Sequence, residues 1–237
     1  MAQVAAFAPV VDCAELTTRE INQAIRVLVD EGSGDICVAN PAARHNLAVA
    51  LVGHSKIFFD GPVGWYAAGM NDGPHVMVKG NCGWGVAECM MSGRVEVNGH
   101  AGSGAAASIR GGLVYVAGNA GARAGIAMKG GTLIVGGDVG YMSGFMMQRG
   151  TMIVCGDAAD GLGDSMYEGV IYIAGDVESY GADAVEAELT DEDRSALSEA
   201  LAPFGTGKSP DDFKKIEAGR RLWNFSTKEP ELWRGAL

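Results

Sequence analysis

Between residues 61 and 176 the chain repeats itself every 19 residues, six times over. The units begin GPVGWYAAGMNDGPHVMVKGN and end AADGLGDSMYEGVIYIAGD. One glycine column runs Gly61, Gly80, Gly99, Gly118, Gly137, Gly156 and Gly175. A second runs Gly93, Gly112, Gly131, Gly150 and Gly169, and a third Gly64, Gly83, Gly102, Gly121 and Gly140. A fixed period over this length belongs to a repeat architecture, in which one unit cannot bury its own apolar face but a stack of units can.

Each unit carries one short strand before its first-column glycine (VMVKG, VEVNG, VYVAG, LIVGG, MIVCG, IYIAG). Two positions in it are always apolar: Val76, Val95, Val114, Leu133, Met152, Ile171, and two residues on Val78, Val97, Val116, Val135, Val154, Ile173. A separation of two puts both on the same face of a strand. Lys56 to Gly61 (KIFFDG) falls on the same register and adds a seventh coil. The reading is an all-β, single-stranded, right-handed parallel β-helix of about seven coils, its glycines at corners that need positive φ or close backbone approach. At about 4.8 Å per coil the core is roughly 30 Å long. Leucine-rich repeats would require a Leu and Asn ladder that is absent, and hexapeptide helices repeat in sixes.

Three segments follow. Residues 1–55 read as a cap of helix and strand. Thr17 and Glu20 form a capping box for a helix over 15–30 with Ile21, Ile25, Leu28 and Val29 on one face. Asp35 to Ala39 is a strand leading to the coil. Residues 56–180 are the β-helix. Residues 181–237 read as a helical docking extension, with one helix from Thr190 to Leu201 and a second from Asp211 to about Leu222. The tail carries Trp223, Phe225 and Trp233.

Charge and composition narrow the function classes. The formal net charge is −11, divided as −3, −3 and −5 over residues 1–60, 61–176 and 177–237. Acidity throughout, with no basic stripe, argues against nucleic acid or an anionic membrane as partner. No stretch reaches the roughly 18 apolar residues of a membrane span. The first residues lack the basic region of a signal peptide, and five scattered cysteines without CxxC spacing read as reduced thiols. A cytoplasmic location is expected.

Several features invite a chemical reading and have a plainer one. The string GNAGARAG (118–125) has no following helix of the right length for a phosphate loop. The polar column Asn81, His100, Asn119, Asp138, Asp157, Asp176 offers a cation site or carboxylate pair, as in sugar-cleaving β-helices, or else turn residues chosen for left-handed tolerance. Met90, Ile109, Met128, Met147 and Met166 read as core rather than a soft-metal site. His45, His54, His75 and His100 share no column. The outward column Phe58, Met77, Glu96, Tyr115, Ile134, Ile153, Tyr172 must be covered, by the chain's own C-terminal segment or by another subunit. Tyr115, Ile134, Ile153 and Tyr172 are thus candidate interface residues, with Trp65, Trp84, Trp223 and Trp233. No catalytic, cofactor-binding or metal-binding residue is assigned.

The glycine array entered through KIFFDGPVGW resembles the GXGXG domain at the C-terminal end of glutamate synthase large subunits, over residues 35 to 185. As a short chain bearing GRRLWNF it is most similar to the small subunits of N-methylglutamate synthases. The glycine-repeat subunit of formylmethanofuran dehydrogenase shares the same array and is the alternative; a self-sufficient β-helix enzyme using Asp138, Asp157 and Asp176 is a third reading. The glutamate synthase resemblance implies a β-helix without catalytic residues, serving as scaffold in a hetero-oligomer. An amidotransferase-like subunit and an FMN-binding synthase barrel with an iron–sulfur cluster would be its partners. Ala2 follows Met1 where that class of glutaminase places its nucleophilic cysteine, and a flavin barrel takes about 250 residues of alternating strand and helix. Both activities are therefore expected on other chains.

Overall fold

A computed structural model describes residues 8–220. Eight parallel strands stack in register: β2 (Asp35–Ala39), β3 (Lys56–Phe59), β4 (His75–Val78), β5 (Arg94–Val97), β6 (Leu113–Val116), β7 (Lys129–Val135), β8 (Arg149–Val154) and β9 (Val170–Ile173). They bound seven turns of a β-solenoid. On the far side of each coil a second, single-residue ladder runs Val63, Cys82, Ala101, Ala120, Val139, Ala158, Val177. The array starts one coil earlier than the tandem units, because β2 pairs with β3 through Ile36↔Ile57 and Val38↔Phe59.

Both inward strand columns are buried to 0–1% exposure, and the methionine column with them. Each such side chain contributes roughly 1.5–3 kcal/mol by leaving water, so the lumen is one continuous core from Ile36 to Ile173. At its N-terminal end lie β1 (Val10–Asp12), parallel to β2, and helix α1 (Thr18–Asp30). Thr17 and Glu20 make the expected capping box, and Ile21, Ile25 and Val29 are buried against the first coil. Asn22 fastens the helix: its Nδ2 donates to Asn46 O (2.7 Å) and its Oδ1 accepts from Ala48 N–H (2.8 Å).

The C-terminal end departs from expectation. After β10 (Ala184–Ala187), α2 (Asp191–Leu201) forms behind the Thr190 and Asp193 capping box. The region from Asp211, read from sequence as a second helix, is instead a 3-10 turn (Pro210–Asp212) and then strand β11 (Lys214–Ala218). Serine-capped Pro-Asp-Asp and apolar Phe213 and Ile216 mimic a helix start. The exposed edge of β9 outweighs that local preference: β11 pairs antiparallel with β9 on one side and β10 on the other. An unpaired edge there would leave main-chain groups of β9 without partners.

Left-handed backbone also lies elsewhere than the glycines alone. In the stretch opposite the main strands, alternate residues such as Tyr66, Ala68 and Met70 have φ near +57°. Their N–H groups point alternately to the next and the previous coil: Tyr66 to Trp84 O (2.7 Å), Ala68 to Leu47 O (2.9 Å), Met70 to Glu88 O (2.8 Å). Left-handed φ costs an L-residue roughly 1–2 kcal/mol; coil-to-coil hydrogen bonds and burial of the small Ala68, Ala87 and Ala106 offset it.

Candidate interaction surfaces

The polar column has a definite job. Asn81 Oδ1 accepts from His100 N–H, His100 Nδ1 from Asn119 N–H, Asn119 Oδ1 from Asp138 N–H, Asp138 Oδ1 from Asp157 N–H and Asp157 Oδ1 from Asp176 N–H, all at 2.8–3.0 Å. Amide, imidazole and carboxylate alternate freely because each supplies one acceptor atom at the same reach. None of these residues has positive φ, so left-handed tolerance is not what selects them. The same ladder explains the first glycine column. A Cβ at Gly99, Gly137 or Gly156 would lie 2.0–2.3 Å from the acceptor of the preceding coil. Of that column only Gly80 has positive φ, whereas Gly93, Gly112, Gly131 and Gly150 of the second column all do. Gly169 differs: its Cβ would meet the Met147 side chain at 2.5 Å. Asp138 and Asp157 thus each commit one oxygen to a backbone amide of the next coil, a structural role that accounts for an acceptor at these positions.

Among the described residues, no group of three or more His, Cys, Asp or Glu side chains is arranged to hold a metal ion, and no helix is long and apolar enough to cross a membrane. The five cysteines are free. Burial pushes the Cys82 thiol up to about 12, away from thiolate chemistry.

The outward strand column divides in two. Ile134, Ile153 and Tyr172 are 0%, 1% and 6% exposed, packed with Cys155 under Leu197 and Leu201 of α2 and Phe213. Tyr115 is half-buried and stacks on Phe204 at 3.9 Å. These four candidate interface residues are therefore covered by their own chain. A polar clasp holds the cover. Tyr172 donates its hydroxyl to Asp193 (2.6 Å), and Lys215 reaches both Asp193 (3.0 Å) and Glu217 (2.9 Å). Burial alone would raise Asp193; the bonds from Tyr172, Thr190 and Lys215 outweigh it and hold the carboxyl well below the usual range. Burial first, and then Asp193, push the Tyr172 phenol far up.

At Glu96 the cover ends. Its carboxylate takes His75 Nε2 (2.8 Å) and Arg94 Nε (2.6 Å), and Arg94 lies over the Phe204 ring at 5.0 Å. The hydrogen bond from His75, against some burial and with Arg94 assisting, lowers the Glu96 carboxyl. Beyond it Met77, Phe58 and Cys37 continue the column without a described segment over them.

A second surface is aromatic. Trp65 and Trp84 stack with centroids 5.3 Å apart, and His45 extends the stack at 4.6 Å from Trp65. Trp65 and Trp84 remain 45% and 55% exposed. His45 was hidden from the sequence pattern by a coil two residues longer than the repeat; its Nδ1 accepts from Trp65 N–H (2.9 Å). Trp223 and Trp233 lie outside the described residues.

No family model matches the chain. Among curated proteins it is similar to Protein GlxC of Rhizobium meliloti (strain 1021), 44% identical over 75 residues. Over that stretch the chain resembles GlxC. The match spans 31% of this chain and 32% of the length of GlxC, which supports a GlxC-like relationship for part of the molecule.

Proposed function

We propose that this chain is a non-catalytic scaffold subunit of a glutamate synthase-like enzyme, bridging an amidotransferase-like subunit and an FMN-binding synthase subunit that also carries an iron–sulfur cluster. The assembly would be an N-methylglutamate synthase, converting glutamate and methylamine to N-methylglutamate and ammonia. The observation that carries the reading is the divided outward column: the described residues bury Ile134, Ile153 and Tyr172 and leave Met77, Phe58 and Cys37 only partly buried, a face that another molecule would cover. The resemblance of its glycine array to glutamate synthase domains, and the partial likeness to GlxC, give that other molecule its chemistry.

The test is to recover the tagged chain from its source cells under native conditions, identify what accompanies it by mass spectrometry and record an absorption spectrum. A flavin spectrum with amidotransferase-like and barrel-sized chains is expected. A pterin–metal partner would reassign the chain to the formylmethanofuran dehydrogenase type. A chain without partners would overturn the scaffold reading.

A further inference from the structure

Each end of the sheet finishes, among the described residues, in a strand paired on one side only, and the two edges differ in what flanks them. At the C-terminal end β9 is paired by β11 and then β10, whose outer surface bears Glu186 bonded by the Tyr180 hydroxyl. At the N-terminal end β1 pairs, among the described residues, with β2 alone. The bonds flanking β1 run from Cys37 N–H to Pro9 O and from Cys13 N–H to Ala39 O. In a parallel ladder alternate residues face the neighbour, so the main-chain groups of Val10 and Asp12 point away from β2. Beside this edge lies a groove of about 580 Å³ between β1 and the outer side of α1, lined by Pro9, Val10, Leu16, Ala24, Val27 and Leu28 among others. Val10 and Val27 are 63% and 47% exposed. An open edge next to an apolar trough has the form that takes up an added strand, main-chain bonds giving affinity and alternate side chains filling the trough.

Charge selects the occupant. The groove is also lined by Asp12 and Glu20 and by no lysine or arginine. A second copy would set the same carboxylates against each other, in a chain already at −11. We infer that β1 accepts an extended segment of a partner protein as a further strand, with apolar side chains in the groove and lysine or arginine beside Asp12 and Glu20. This rests on the reading that the chain is a subunit.

Hydrogen–deuterium exchange on the complex purified from source cells, compared with the isolated chain, tests it. Exchange at Val10 and Asp12 slows by at least ~10-fold on assembly, and Val27→Lys lowers recovery of the complex by a similar factor while leaving the isolated chain's unfolding midpoint unchanged. A complex that forms with exchange at Val10 and Asp12 unaltered overturns the inference and leaves the scaffold reading standing. Edge amides already slow in the isolated monomer would mean that the chain's own residues fill the site. Protection in a homodimer would assign it to a second copy. Absence of any complex removes both readings together.

Discussion

The last coils and the first coils of this solenoid are built from the same repeat, yet their outer faces have opposite fates. Around β7, β8 and β9 the outward residues Ile134, Ile153 and Tyr172 are as buried as the lumen, because α2 and Phe213 lie on them. Around β2, β3 and β4 the equivalent residues Cys37, Phe58 and Met77 are only partly buried. The lumen is indifferent to the change: Val76 and Ile171, at opposite ends, are both fully buried. A strand in such a rod has two apolar faces to account for. The inward one is satisfied by stacking, and the outward one records which coils have a cover. The clasp on the covered side and the Glu96 cluster at the boundary are polar, so the cover has a defined limit.

The comparison breaks first at matched outward positions. Ile153→Ser removes a buried side chain and places a hydroxyl under α2, and is expected to cost about 3–4 kcal/mol in urea unfolding. Met77→Ser on the bare side costs about 1 kcal/mol or less. Equal losses would mean the two faces are not differently covered. Next come substitutions that ignore the cover. Gly99→Ala and Gly156→Ala drive a Cβ to within 2.3 and 2.2 Å of a ladder acceptor and should destabilise alike, by about 2–3 kcal/mol each. A large difference between them would show that the ladder is not uniform along the rod.

Smaller effects sharpen the account of the clasp. Lys215→Met leaves Asp193 with less compensation in a site where both side chains are under 15% exposed, and costs about 2 kcal/mol. Because the folded-state value of Asp193 is depressed, its contribution is present above the unfolded value and lost as pH falls through the acid range. The urea midpoint of the natural chain should therefore drop more steeply below about pH 4 than that of Asp193→Asn. Smallest is His100. His100→Asn keeps an acceptor for the Asn119 amide and is nearly neutral, whereas His100→Leu strands that N–H and costs about 1 kcal/mol.

Periodicity made the solenoid legible. The inward columns, the α1 capping box, the start of α2 at Thr190 and the methionine core are all local or strictly periodic signals. What escaped was relational. Lys214–Ala218 becomes a strand because the edge of β9 is vacant, and a local reading of Phe213 and Ile216 cannot see that edge. Residues 40–55 hide their membership of the array because that coil is longer, which also concealed His45 beneath Trp65. The polar column was visible as a pattern, but its purpose depends on a backbone amide 19 residues away. Covered and bare outward residues look the same in sequence; only the path of α2 separates them.

Native cysteines allow the division of the two faces to be measured directly. Cys37 sits in the outward column of the bare coils and Cys155 under the cover, 2% exposed. Pulse labelling of the isolated folded chain with iodoacetamide, read by peptide mass spectrometry, should modify Cys37 while Cys155 stays protected. Lys215→Met should speed labelling at Cys155 and leave Cys37 unchanged. Labelling of Cys155 in the natural chain as fast as in unfolded protein would contradict the account, because it would mean that α2 does not close that face.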